Sequence, residues 1–224
     1  MNKLAFPWKN MLAKCILASI LMGSLTACVP IMVAGGAVGG GMAATDRRTL
    51  GAQTEDKAIL LKGEHIAYKI GGNNSHINVS SFNQKVLLTG EVDSEATKQA
   101  IGNAIAEIEN VESVINELAI LAPSSFGSRS NDSLITSKVS ASLLAEKNLY
   151  SSAFKTVTER GTVYLMGRVT RKEGEHAARV AAGVSGVQNV IKVFEYLTEE
   201  DLQKLMVLPT SSNNTQRQTS NEME

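Results

Sequence analysis

Aromatic residues are scarce in this chain, at 4 % of 224 residues, with a single Trp. A core built from it must rest on Ala, Val, Ile and Leu, which the 43 % hydrophobic content supplies. Charge of one sign is also missing: basic and acidic residues both number 22, which removes any global electrostatic case for nucleic acid as a partner. There are only two cysteines, Cys15 and Cys28. The apolar run Cys15–Met22 is too short for a spanning helix, which needs roughly 20 residues. Catalytic signatures are absent too. His65, His76 and His176 show no metal-ligand spacing, no G-x-S-x-G elbow occurs, and Glu107, Glu109, Glu112 and Glu117 read as solvated. The chain is therefore expected to be no enzyme and to need no cofactor or metal.

What is present begins at the N-terminus. Lys3, Lys9 and Lys14 precede a short apolar run, Cys15–Met22, and then Leu25-Thr26-Ala27-Cys28. A basic n-region, an apolar core too short to span and small residues before the cleavage point make a secretory signal peptide over 1–27. The last four residues resemble a bacterial lipobox, which implies that Cys28 receives acyl chains, such as palmitate, and becomes the mature N-terminus. Cys15 would be removed and Cys28 acylated, leaving no thiol for a disulfide. Val29 follows, not the Asp that in similar lipoproteins signals inner-membrane retention, so the resemblance points to the outer membrane. Removing 1–27 also removes three lysines and no acid, so attraction to anionic lipid must come from a local patch.

Residues 28–54 open with a Gly/Ala-rich stretch that lacks the Lys-Ser/Thr of a phosphate loop and reads as a tether. The rest is an internal repeat. Val86-Leu87-Leu88-Thr89-Gly90-Glu91-Val92 aligns with Val163-Tyr164-Leu165-Met166-Gly167-Arg168-Val169. Each copy predicts α-β-β-α-β. The helices over Asp56–Ile70 and Asp132–Leu144 come first, and each is followed by a hairpin. A second helix starts at Asp93 or at the capping box Thr170-Arg171-Lys172-Glu173. Ala100, Ile101, Ala104, Ile105 and Ile108 form an apolar stripe on this helix, as do Ala177, Ala181 and Val184 in copy two. Asn110 and Gly186 are expected stops, and a last strand runs over Ser113–Leu121 or Val190–Leu197. Gly90 and Gly167 suggest a bulge or close approach of that helix to the sheet. The expected class is α+β, each copy a three-stranded mixed sheet packed against two helices. The boundaries read as 55–122 and 131–198, with a linker at 123–130 and a short helix and polar tail over 199–224.

These stretches carry a resemblance. Lys85-Val86-Leu87-Leu88-Thr89-Gly90, Asn131-Asp132-Ser133-Leu134-Ile135-Thr136-Ser137-Lys138-Val139 and Val163-Tyr164-Leu165-Met166-Gly167 resemble the BON domain, and Ala43–Gly51 resembles the segment that precedes it. A lipobox followed by two such domains is similar to the dual-BON outer-membrane lipoproteins. The resemblance implies a location on the periplasmic face, a part in envelope integrity, and contact of the second domain with anionic phospholipid through its first helix. The residues so implied are Arg129, Leu134, Ser137, Lys138, Ser140 and Ala141. Related lipoproteins often carry an aromatic residue where Leu134 stands, and an aromatic is the stronger interfacial anchor. On the residues alone, Leu134 and Val139 also fit a core role and Lys138 an ordinary solvated surface. A second functional reading keeps the chain as an adaptor for envelope-assembly or cell-wall remodelling proteins.

Overall fold

The computed structural model describes residues 46–207. The expected signal peptide, Cys28, most of the tether and the polar tail beyond 207 lie outside the described residues. The first copy consists of α1 (Leu50–Gly71), β1 (His76–Phe82), β2 (Lys85–Val92), α2 (Glu95–Ala106), β3 (Ser113–Asn116) and β4 (Ala119–Ile120). The second consists of α3 (Phe126–Ala145), β5 (Phe154–Glu159), β6 (Thr162–Val169), α4 (Arg171–Ala182) and β7 (Asn189–Tyr196), followed by α5 (Glu199–Val207). In each sheet the hairpin is antiparallel, and the strand after the second helix returns parallel to the middle strand. This is the expected α+β architecture, twice.

Both hairpins close on two-residue turns whose central residues have positive φ: Asn83 and Gln84 in the first, Arg160 and Gly161 in the second. Such turns match the right-handed twist of the strands. The cost of placing Asn83, Gln84 and Arg160 there is offset by buried acids. Asp56, on α1, accepts from the backbone N–H groups of Asn83 (2.7 Å) and Gln84 (2.9 Å), and from Ser81 Oγ (2.6 Å). Asp132, at the matching place on α3, accepts from Arg160 N and Gly161 N, each at 2.9 Å. Each first helix thus clamps its own hairpin turn.

Several sequence expectations need correction. The first helices start earlier than expected, at Leu50 and Phe126, because Thr49 and Ser125 cap them by accepting from Ala52 N and Ser128 N. Ser94, not Asp93, caps α2, and Asp93 instead accepts from Thr97 Oγ1. The second helices end at Ala106 and Ala182, and Asn110 and Gly186 form the turns beyond them with positive φ. The strand expected over Ser113–Leu121 is broken into β3 and β4. Asn116 turns its side chain to the Lys98 carbonyl (2.8 Å) and accepts from Leu118 N (3.3 Å), which interrupts the ladder. Gly90 and Gly167 make room for backbone, not for a helix. A Cβ on Gly90 would lie 2.0 Å from the His76 carbonyl oxygen, and one on Gly167 2.5 Å from that of Ala153. On α2 the core is made by Ile101 and Ile105, with Ala100 exposed, and Ile108 joins that core from the turn beyond the helix end. The Thr170–Glu173 capping box and the burial of Ala177 and Ala181 are as expected.

The helices of each copy cover one face of its own sheet. Val79, Val86, Leu88 and Val92 meet α1 and α2 in one core, and Val163 and Leu165 meet α3 and α4 in another. The opposite faces of the two sheets meet each other. Phe82, Leu87 and Ile115 pack with Tyr164, Met166, Val157, Ile191 and Val193 in a third apolar cluster. Both middle strands are therefore buried on both faces, which is why β2 shows no exposed side.

Candidate functional site

Helix α3 presents two unlike faces. Asp132, Ile135, Val139 and Leu143 recur at helical spacing and are buried. About 100° per residue places Leu134, Ser137, Lys138 and Ala141 on the outward side, with Phe126 and Leu144 on its flank. All six are exposed: Leu134 at 60 %, Phe126 at 81 %, Leu144 at 72 %. The core role that the sequence left open for Leu134 is thus excluded, while Val139 does belong to the core. Arg129 and Ser140 are also exposed but project roughly 120–140° from Leu134. Arg129 borders a cavity of about 470 Å³ shared with Ser133, Thr136, Lys155 and Glu159. The Ser137 hydroxyl donates to the Ser133 carbonyl (2.9 Å), so its proton is directed at its own helix. The structure brings Leu134, Ser137, Lys138 and Ala141 together and sets Arg129 and Ser140 apart.

Helix α1 has a comparable stripe. Leu50, Leu61 and Tyr68 are exposed and fall within roughly 20° of one another around its axis. Among the described residues no helix is long and apolar enough to cross a membrane.

The seam between the two sheets holds polar groups that sequence reasoning missed. Glu91 is fully buried. It accepts from Ser124 N (3.0 Å) and Arg160 Nη1 (3.2 Å) and lies 3.3 Å from His76 Nδ1. Burial alone would raise its carboxyl, but the Ser124 and Arg160 hydrogen bonds and the nearby His76 more than offset this and hold it below the usual range. Glu159 is buried too and accepts from Asn78 Nδ2 at 2.8 Å. Burial pushes its carboxyl up, against the Asn78 hydrogen bond. Burial lowers Lys155, whose ammonium donates to the Ser81 carbonyl across the seam. Tyr164 is pushed up to about 12 by burial and by Glu117 and Glu159. Asn83 Nδ2 donates to Glu195, which also accepts from Arg168.

The segment just before α1 binds both copies. Arg47 makes a two-pronged ion pair with Glu173 (2.9 and 2.6 Å), donates to the Arg168 carbonyl and sits over the Tyr150 ring. Arg48 pairs with Asp46 and with the clamp acid Asp56, over the Phe82 ring. One dipeptide thus fastens the second domain through Arg47 and the first through Arg48. Burial works against the Glu173 carboxylate, yet the Arg47 hydrogen bonds and the Thr170 N–H leave it below the usual range. Arg47→Ala is expected to cost about 2–4 kcal/mol, since it strands a largely buried carboxylate. Urea denaturation checks this. The contribution is full above the carboxylate's unfolded pKa and fades as pH falls through the lower folded value, so the difference between wild type and variant should shrink on acidification.

Comparison with known proteins accords with this geometry. The BON domain family matches residues 52–122 and 131–198. The chain is 35 % identical to "Outer membrane lipoprotein DolP" of Haemophilus influenzae, over 80 % of this chain and 95 % of that protein. It is 32 % identical to the "21 kDa hemolysin" of Actinobacillus pleuropneumoniae, over 68 % and 79 % of the two chains. It is 28 % identical to "Osmotically-inducible protein Y" of Escherichia coli, over 60 % and 65 %. With two BON domains and this likeness along most of its length, the chain belongs to the BON-domain family as a dual-BON outer-membrane lipoprotein.

Proposed function

We propose that this lipoprotein is acylated at Cys28, rests the outward face of α3 on anionic phospholipid of the outer membrane's periplasmic leaflet, and supports envelope integrity by binding without catalysis. The observation that carries the reading is Leu134 and Lys138 exposed together on the outward side of a helix whose other side is core, with Phe126 and Leu144 exposed on one flank. An apolar side chain gains up to about 1.5–3 kcal/mol when fully buried, and partial insertion gains a fraction of that. A lysine near an anionic surface adds about 1 kcal/mol. The helix alone is thus a weak, composition-sensitive contact that the acyl chains make effective by holding it at the surface.

Liposome flotation of the full chain carrying Cys28→Ser tests this. Binding should require phosphatidylglycerol or cardiolipin. It should fall about fivefold or more in Lys138→Glu, through loss of one charge and gain of its opposite, and rise in Leu134→Trp. The exposed stripe Leu50, Leu61 and Tyr68 on α1 favours a second reading, in which the first domain docks an envelope-assembly protein. Failure to float at any lipid composition transfers the function to that surface.

A further inference from the structure

We infer that His76, Glu91 and Glu159 form a binding site for one divalent transition-metal ion of the zinc class, joining the two domains. The three side chains place ligand atoms within 4.8 Å of one another. His76 and Glu91 are cross-strand neighbours on β1 and β2, and Glu159 ends β5 of the second domain. All three project from the sheet faces that meet at the seam. Tetrahedral ligands with bonds of about 2.1 Å are spaced by about 3.4 Å. The 3.3 Å between His76 Nδ1 and Glu91 Oε2 already has that spacing, and the 4.0 Å to Glu159 Oε1 needs only a small rotation.

The surroundings are those of a supported site. Ser124 N holds Glu91 and Asn78 holds Glu159, so both carboxylates are oriented by a neighbour. Ser124 Oγ lies 3.5 Å from His76 Nδ1, the nitrogen that would take the ion, and would turn away from it. Two buried carboxylates face each other, and Arg160, whose side chain is 48 % exposed, bonds Glu91. A dication between the two carboxylates would offset their repulsion, beside Arg129 and Lys155, which line the same cavity. His76, Asn78 and Glu159 also line the cavity of about 470 Å³ below α3, which gives an ion a path in and a water the fourth position. One imidazole and two carboxylates suit zinc better than magnesium or calcium, which ask for more oxygen ligands. The ion would act as a staple between the domains, independent of lipid contact.

Chelator-treated full chain carrying Cys28→Ser, titrated with Zn²⁺ by calorimetry, is the test. The expected result is one ion per chain and a higher melting temperature, with neither produced by Mg²⁺. Binding should weaken at least about 100-fold in His76→Ala and in Glu159→Gln, and stay unchanged in His176→Ala, which alters the half-buried His176–Glu146 pair away from the seam. The Glu159→Gln variant retains the bulk of the side chain and covers the event that His76→Ala fails to fold. Absence of saturable binding, or binding that survives both substitutions, overturns the proposal and leaves the three residues as an ion-pair clasp.

Discussion

Cys28→Ala is expected to move nearly all of the protein from the membrane fraction to the soluble fraction. The argument is one of magnitudes. Acyl chains contribute about 0.8 kcal/mol per buried methylene, and one myristoyl chain gives only marginal binding, whereas several chains hold stably. Helix α3 offers Leu134 and Lys138 on its outward face and two more exposed apolar side chains, Phe126 and Leu144, on the flank. Without the acyl chains that face must capture lipid from bulk solution, and residual association should be slight and sensitive to salt. Fractionation of extracts in low and high salt measures both effects. A Cys28→Ala variant that sediments with membranes as the parent does would show that the tether lies elsewhere.

The second large effect falls on stability. Asp56→Ala should destabilise the protein by about 3–5 kcal/mol, because it strips partners from four donors at once. Asn83 N and Gln84 N would lose the acceptor that holds the β1–β2 turn, and Ser81 Oγ and Arg48 Nη1 would lose theirs. Asp132→Ala should cost less, since Asp132 accepts from two turn amides and no arginine. Thermal unfolding of the pair compares the two clamps within one molecule. Equal and small shifts would contradict the assignment of both acids to the turns.

The architecture was legible in the sequence because duplication repeats its signals. Two-residue alternation in β2 and β6 and the stripes of α2 and α4 each occur twice, so an accidental pattern in one copy is checked by the other. The clamp acids were not legible. Asp56 and Asp132 read as ordinary helix-start residues, since an acid near a helix N-terminus is common for reasons of its dipole. The seam was hidden for a different reason. Glu91, Arg168 and Glu195 are polar on alternating positions, which reads as a solvent face, yet that face meets the other domain. The apolar neighbours Leu87, Tyr164 and Met166 on the same face held the contrary signal. No spacing rule could join His76, Glu91 and Glu159, because they come from three strands of two copies. On α3, Arg129, Leu134, Ser137, Lys138, Ser140 and Ala141 were all carried by likeness; helical phase puts Leu134, Ser137, Lys138 and Ala141 on one side and turns Arg129 and Ser140 away from them.

The contact face itself can be observed in the Cys28→Ser protein bound to nanodiscs of phosphatidylglycerol and phosphatidylcholine that contain a spin-labelled lipid. Methyl signals of Leu134 and Leu144 should broaden strongly, while those of Leu50 and Leu61, equally exposed on α1, stay sharp. Broadening centred on α1, or spread evenly over both helices, would contradict an α3-led contact with the bilayer.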